Sequence, residues 1–168
     1  MKLYLMRHGP AEDQAPSGLD CDRALTPSGR DRVVAVARAL AAADEVPHWI
    51  WTSPLVRAVQ TAEIVAVQTK LSERGGTVQA KRELALGSEG RALINHVMNR
   101  LPKRVMLVGH EPDLSALAED LLGAPLAVPF GKAMVVGVAI DHSQSTVLRF
   151  ILDPKTLILE RVRDENAT

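Results

Sequence analysis

The chain has 168 residues, 46% of them hydrophobic, enough for one core, and is read as a single domain over 1–168. Twenty basic side chains balance twenty acidic ones, so no overall field draws it to nucleic acid or an anionic membrane, and any anion site must be local. One cysteine, Cys21, excludes an internal disulfide and a Cys-rich zinc site; with no signal-peptide pattern and no apolar run of spanning length, a cytoplasmic location is expected.

In chain order, Leu3 to Met6 reads as a short buried strand that ends in Arg7-His8-Gly9. Pro10 to Ala24, polar and turn-rich, reads as a surface loop that could rim a site. Thr26-Pro27 supplies an N-cap and first-turn proline, and Val33, Val36, Ala37 and Leu40 recur at helical spacing to about Ala43. A strand over His48 to Thr52 follows. Ser53-Pro54 then repeats the cap-plus-proline signal before a helix carrying Ala58, Ala62 and Val65, which places Arg57 in its first turn. Gly75-Gly76 breaks the pattern, a short extended piece is expected near Val78, and Ser88 to Arg100 reads as a helix with Leu93 and Val97 on one face. The strand Val105 to Val108 leads through Gly109-His110 to Pro112 and a helix that stops at Gly123. Ala133 to Ile140 and Thr146 to Leu152 look like a hairpin, with a last extended piece over Thr156 to Val162.

Alternation of strand and helix predicts an α/β fold, a three-layer α/β/α sandwich whose mainly parallel central sheet carries helices on both faces and the hairpin at an edge. Three strands would then end on one side, bringing His8, Arg57 and His110 within reach of one another. Ligands of open α/β sheets bind at such carboxyl ends.

Spacing excludes several familiar chemistries. Gly123 and Gly131-Lys132 are too far apart for a nucleotide phosphate loop, and Ala133 replaces its Ser or Thr. His110-Glu111 opens like a zinc-protease helix, yet Leu114 stands where the second His belongs. No serine-hydrolase elbow or dinucleotide fingerprint occurs.

Leu5-Met6-Arg7-His8-Gly9, Leu25-Thr26-Pro27-Ser28-Gly29, Ser53-Pro54-Leu55-Val56-Arg57-Ala58-Val59-Gln60-Thr61-Ala62 and Val108-Gly109-His110-Glu111-Pro112 resemble the ordered signatures of the histidine phosphatase superfamily, with its phosphoglycerate mutase-like fold. The short length, compact middle and Arg82-Glu83-Leu84 before Gly87 are most similar to SixA-type phosphohistidine phosphatases. The resemblance implies a phosphohistidine intermediate on His8, later hydrolysed by water. His110, protonated, would add positive charge beside it, and Arg7 and Arg57 would bind the phosphate. It implies no metal or cofactor.

Those residue types suit the chemistry. A phosphoryl group in transfer spreads charge over three oxygens, so it needs cationic donors and an in-line nucleophile. Arginine stays charged and offers a planar fork of donors. A neutral imidazole can attack once a partner fixes its other nitrogen. The amino ends of the Pro27 and Pro112 helices could add backbone donors.

The chain also departs from the family. Mutase-type and many acid-phosphatase-type members carry a carboxylate acid in the middle section, where this chain has Leu86; Glu83 and Glu89 lie nearby without matching, and Glu83 is the candidate acid. A sugar or serine alkoxide leaves poorly without a proton, whereas imidazole titrates near pH 6.5, so the missing acid favours P–N substrates or activated aryl phosphates. The expected partner is a phosphorylated protein of the histidine phosphotransfer or phosphocarrier type, hence a role in protein dephosphorylation and signal transduction. Alternatives are a small-molecule or aryl phosphomonoesterase with the same nucleophile, or a non-catalytic phosphoprotein-binding module. His48, His96 and His142 lack motif context and read as structural or exposed; Trp49 and Trp51 read as core packing.

Overall fold

Alternation along the first strand sets the architecture: in β1 (Lys2–Arg7), Tyr4 and Met6 enter one core while Leu3 and Leu5 enter another. A sheet buried on both faces follows. The structure, a computed structural model, describes residues 1–88, 103–141, 143 and 145–162. The expected helix over Ser88 to Arg100, with Leu93, His96 and Val97, lies almost wholly outside the described residues, as do Glu89 and His142.

Against the first core pack α1 (Pro27–Ala42), through Val33, Val36, Ala37 and Leu40, and α2 (Val56–Gln68), through Ala58, Ala62 and Val65. Thr26 caps α1 as expected, its side chain accepting from the Gly29 amide at 3.0 Å. The cap expected for α2 is not made there: the helix begins at Val56 after Leu55, and Ser53 lies too far back to cap it. Against the second core packs α3 (Asp113–Leu122) through Leu114, Leu117 and Ala118. Gly123 closes α3 at φ 71°, left-handed backbone that glycine adopts at least cost, its amide bonding the Glu119 carbonyl at 2.8 Å.

The remaining strands are β2 (Trp49–Thr52), β3 (Val78–Ala80), β4 (Arg104–Gly109), β5 (Val135–Ile140), β6 (Thr146–Leu152) and β7 (Leu159–Arg161). Their order is β3-β2-β4-β1-β5-β6-β7. The sheet is mixed. β3, β2, β4 and β1 run parallel, whereas β5, β6 and β7 continue from β1 antiparallel. The hairpin therefore joins the centre of the sheet through β5, and the short last piece, β7, forms the edge. Because β2, β4 and β1 are adjacent and parallel, their carboxyl ends deliver Ser53, His110 and His8 to one side. No helix among the described residues is long and apolar enough to cross a membrane.

Candidate active site

His8 leaves the end of β1 buried, at 7% exposure, and its backbone is pinned on both sides. Its amide donates to the Gly109 carbonyl at 3.1 Å, and the Ala133 amide reaches the carbonyls of both Arg7 and His8 at 3.1 Å. The ring is fixed as well. Nδ1 lies 2.7 Å from the carbonyl oxygen of Gly9, which can only accept, so Nδ1 carries the proton and Nε2 holds the free lone pair. This is the partner that sequence could not name.

His110, 2% exposed, follows β4, and its ring centroid lies 5.0 Å from that of His8. Its Nε2 is 2.8 Å from Ser53 Oγ, while Nδ1 is buried with no hydrogen-bond partner among the described residues. Ser53 Oγ also accepts from the Leu55 amide, so the hydroxyl links the His110 ring to the backbone ahead of α2. Ser53 thus serves the histidine rather than a helix end.

Arg57, 3% exposed, lies in the first turn of α2. Its main chain is tied to the β1 turn, since Thr61 Oγ1 donates to the Arg57 carbonyl at 2.7 Å and accepts from the Gly9 amide at 3.0 Å. Its Nη1 and Nη2 donate to the main-chain oxygen and carboxylate of Asp20, at 2.8 and 3.0 Å. Arg7 donates from Nη1 to the Phe130 carbonyl at 2.9 Å, leaving a buried Nε without a partner among the described residues.

In the protein alone this packing works against the charge expected on His110. Burial, with the His8 ring and Arg57 beside it, pushes the His110 pKa down to about 3. Burial likewise lowers that of His8 to about 4, against the hydrogen bond to Gly9, with Arg57, Arg7 and Lys132 adding to the depression. Both imidazoles are neutral at pH 7. That neutrality suits a nucleophile at His8.

The four motif residues therefore converge; Glu83 is the remaining candidate. It is exposed in a 3-10 turn, and among the described residues no hydrogen bond or ion pair links it to Arg7, His8, Arg57 or His110. Leu86, where a family acid would stand, is 46% exposed. At the helix amino ends the Gly29 amide is taken by Thr26, and that of Ser115 by Glu111 Oε1 at 3.1 Å. Sequence reading missed two groups. Asp20 was one acidic residue in a polar loop, and Lys132, exposed next to Ala133, had no motif context. Among the described residues no cluster of three His, Cys, Asp or Glu side chains is placed to hold a metal ion.

The sequence profile of the histidine phosphatase superfamily (branch 1) matches residues 3–91. An uncharacterized protein of Picosynechococcus is 39% identical over 135 residues, 79% of this chain and 75% of the relative. The protein histidine phosphatase SixA, solved with tungstate, matches at a TM-score of 0.83 and 25% identity, over 94% of this chain and all (100%) of that one. A mycobacterial glucosyl-3-phosphoglycerate phosphatase solved with VO3 matches at 0.66 and 22% identity, covering 88% and 96%, a likeness of fold alone.

Proposed function

The chain belongs to the histidine phosphatase superfamily, and from that premise we propose that it is a phosphatase that removes phosphate from phosphohistidine on a protein, through a covalent intermediate on His8. The observation that carries the reading is the tautomer of His8. A neutral ring whose Nδ1–H is held by the Gly9 carbonyl presents an unprotonated Nε2 beside two arginines and a second imidazole.

In the first step the substrate phosphohistidine reacts with its second ring nitrogen protonated: Nε2 of His8 forms a bond to phosphorus, the bond from phosphorus to the substrate nitrogen breaks with its electron pair going to that ring, and the substrate leaves as neutral imidazole. Arg7 and Arg57 bind the equatorial oxygens, and the His110 ring donates to the same group. Water then displaces His8, which departs neutral with its proton still on Nδ1. No metal takes part, and activity is expected to persist in chelator.

The substrate class rests on the leaving group. With Leu86 at the family acid position and Glu83 exposed without a bond to the four motif residues, no acid for a poor alkoxide leaving group is held at the site among the described residues, whereas imidazole needs less help. Similarity to SixA, a protein histidine phosphatase, supports the same substrate type, and the tungstate it holds is an oxyanion of the kind this pocket would accept. We place the activity in the cytoplasm, in keeping with one exposed free thiol, Cys21. The same lack of acid suits aryl phosphates, the second reading.

A panel of phosphohistidine carrier protein, aryl phosphate and sugar phosphates, run with His8→Ala, tests the proposal. Wild type is expected to hydrolyse the first fastest and to trap labelled phosphate, and His8→Ala to do neither. Comparable turnover of sugar phosphates removes the substrate assignment, and label retained by His8→Ala removes the nucleophile.

A further inference from the structure

The site is graded from its floor to its mouth. His8, Arg57 and His110 are exposed by 7% or less, whereas the Asp20 side chain, in the loop between β1 and α1, is 53% exposed while gripping Arg57. In-line geometry sets what each end does. An in-line displacement puts the leaving group, and later the attacking water, on the face of the phosphoryl group opposite His8, and solvent water enters from the exposed side, where Asp20 lies.

That water needs a proton acceptor, and a carboxylate already stands on its side of the pocket. Asp20 Oδ2 accepts from Arg57 at 3.0 Å, and Oδ1 accepts from Arg23 at 2.7 Å, which fixes the group over the arginine that would hold the phosphoryl oxygens. Each oxygen keeps a further lone pair.

Resting on the phosphatase reading, we propose that Asp20 is the general base of the second step, positioned by Arg57 and Arg23 to take a proton from the water that attacks phosphohistidine-8. The water oxygen bonds to phosphorus, the bond from phosphorus to Nε2 breaks with its electron pair going to the ring, and the water proton passes to an Asp20 oxygen. His8 returns neutral, and Asp20 then gives its proton to solvent. Hydrogen bonds from Arg23 and then Arg57 keep the carboxylate ionised, and a phosphoryl dianion against Arg57 offsets their pull and raises its basicity.

The test is rapid-quench turnover of p-nitrophenyl phosphate, whose phenolate leaves without a proton. With Asp20→Asn, formation of the intermediate is expected to keep its rate within about threefold, and steady-state turnover to fall about 100-fold, the scale of a lost general base. A nitrophenol burst near one equivalent per site and acid-quenched phosphate on His8 should accompany that fall. Formate should restore turnover to Asp20→Ala, because the position is open to solvent. Turnover of Asp20→Asn within threefold of wild type, or a fall without accumulated phosphoenzyme, overturns the assignment. Failure to trap phosphate on any form of the protein instead removes the phosphatase reading itself.

Discussion

At the scale of single residues, the site works by withholding charge from its histidines. Two buried imidazoles 5.0 Å apart, among Arg7, Arg57 and Lys132, cannot carry protons cheaply. Each therefore binds its second proton only well below the ordinary value near 6.5. In a ring-proton NMR titration, His8 should show a midpoint near pH 4 and His110 near pH 3. Added tungstate should raise both, since a bound oxyanion favours the imidazolium. Midpoints near 6.5 in the protein alone would show hydrated rings and remove the argument for a ready nucleophile. The sign follows for stability as well: the unfolded chain binds these protons below about pH 6.5 and the folded chain does not, so folding weakens as pH falls from there toward 4.

At the scale of elements, a close approach holds the loop that carries the site. A Cβ on Gly29, in the first turn of α1, would lie 2.0 Å from the carbonyl oxygen of Pro10, and that same carbonyl accepts from the Thr26 amide at 3.1 Å. Gly29→Ala is expected to cost about 2–4 kcal/mol, because main chain must move. Urea denaturation checks it, with Ser28→Ala as a neighbouring control within about 1 kcal/mol; equal midpoints would mean that the contact yields. The elements themselves were legible in sequence where local rules coincide. Thr26-Pro27 announces α1, Gly123 ends α3, and the apolar run in β1 is short enough to be a strand. Ser53 was misread because its signal is local and its use is not: the hydroxyl that looks like a cap is turned toward His110, 57 positions along the chain. Asp20 was invisible for the same reason, since only the folded loop sets it against Arg57, 37 positions away.

At the scale of the whole molecule, a second polar cluster holds the opposite end of the sheet. Glu45, 3% exposed, accepts from Lys2 Nζ at 2.9 Å, Tyr4 Oη at 3.0 Å and Arg161 Nη1 at 3.1 Å, joining β1, the turn after α1, and the edge strand β7. Burial alone would raise the Glu45 pKa, but the three donors outweigh it and hold the carboxyl below its ordinary value. A depressed carboxyl stabilises the fold above its unfolded pKa, about 4.3, and loses that contribution as pH falls through the folded value. Glu45→Gln should therefore cost about 1–3 kcal/mol at pH 7 by thermal or urea unfolding, with the gap from wild type narrowing below about pH 4. A gap independent of pH would assign the effect to shape instead of charge. The position of β1 has a further consequence, for the order of folding. Lys2 pairs with Arg104 on one side and with Ala139 on the other, so the strand that delivers His8 is synthesised long before either neighbour. Such distant pairing makes folding slow to begin and leaves an apolar strand waiting for partners on the ribosome. A nascent chain halted before Ala133 would hold Arg7, His8 and Arg57 but neither the second flank of β1 nor the Ala133 amide that ties down the catalytic turn, so activity should emerge only with the last third of translation.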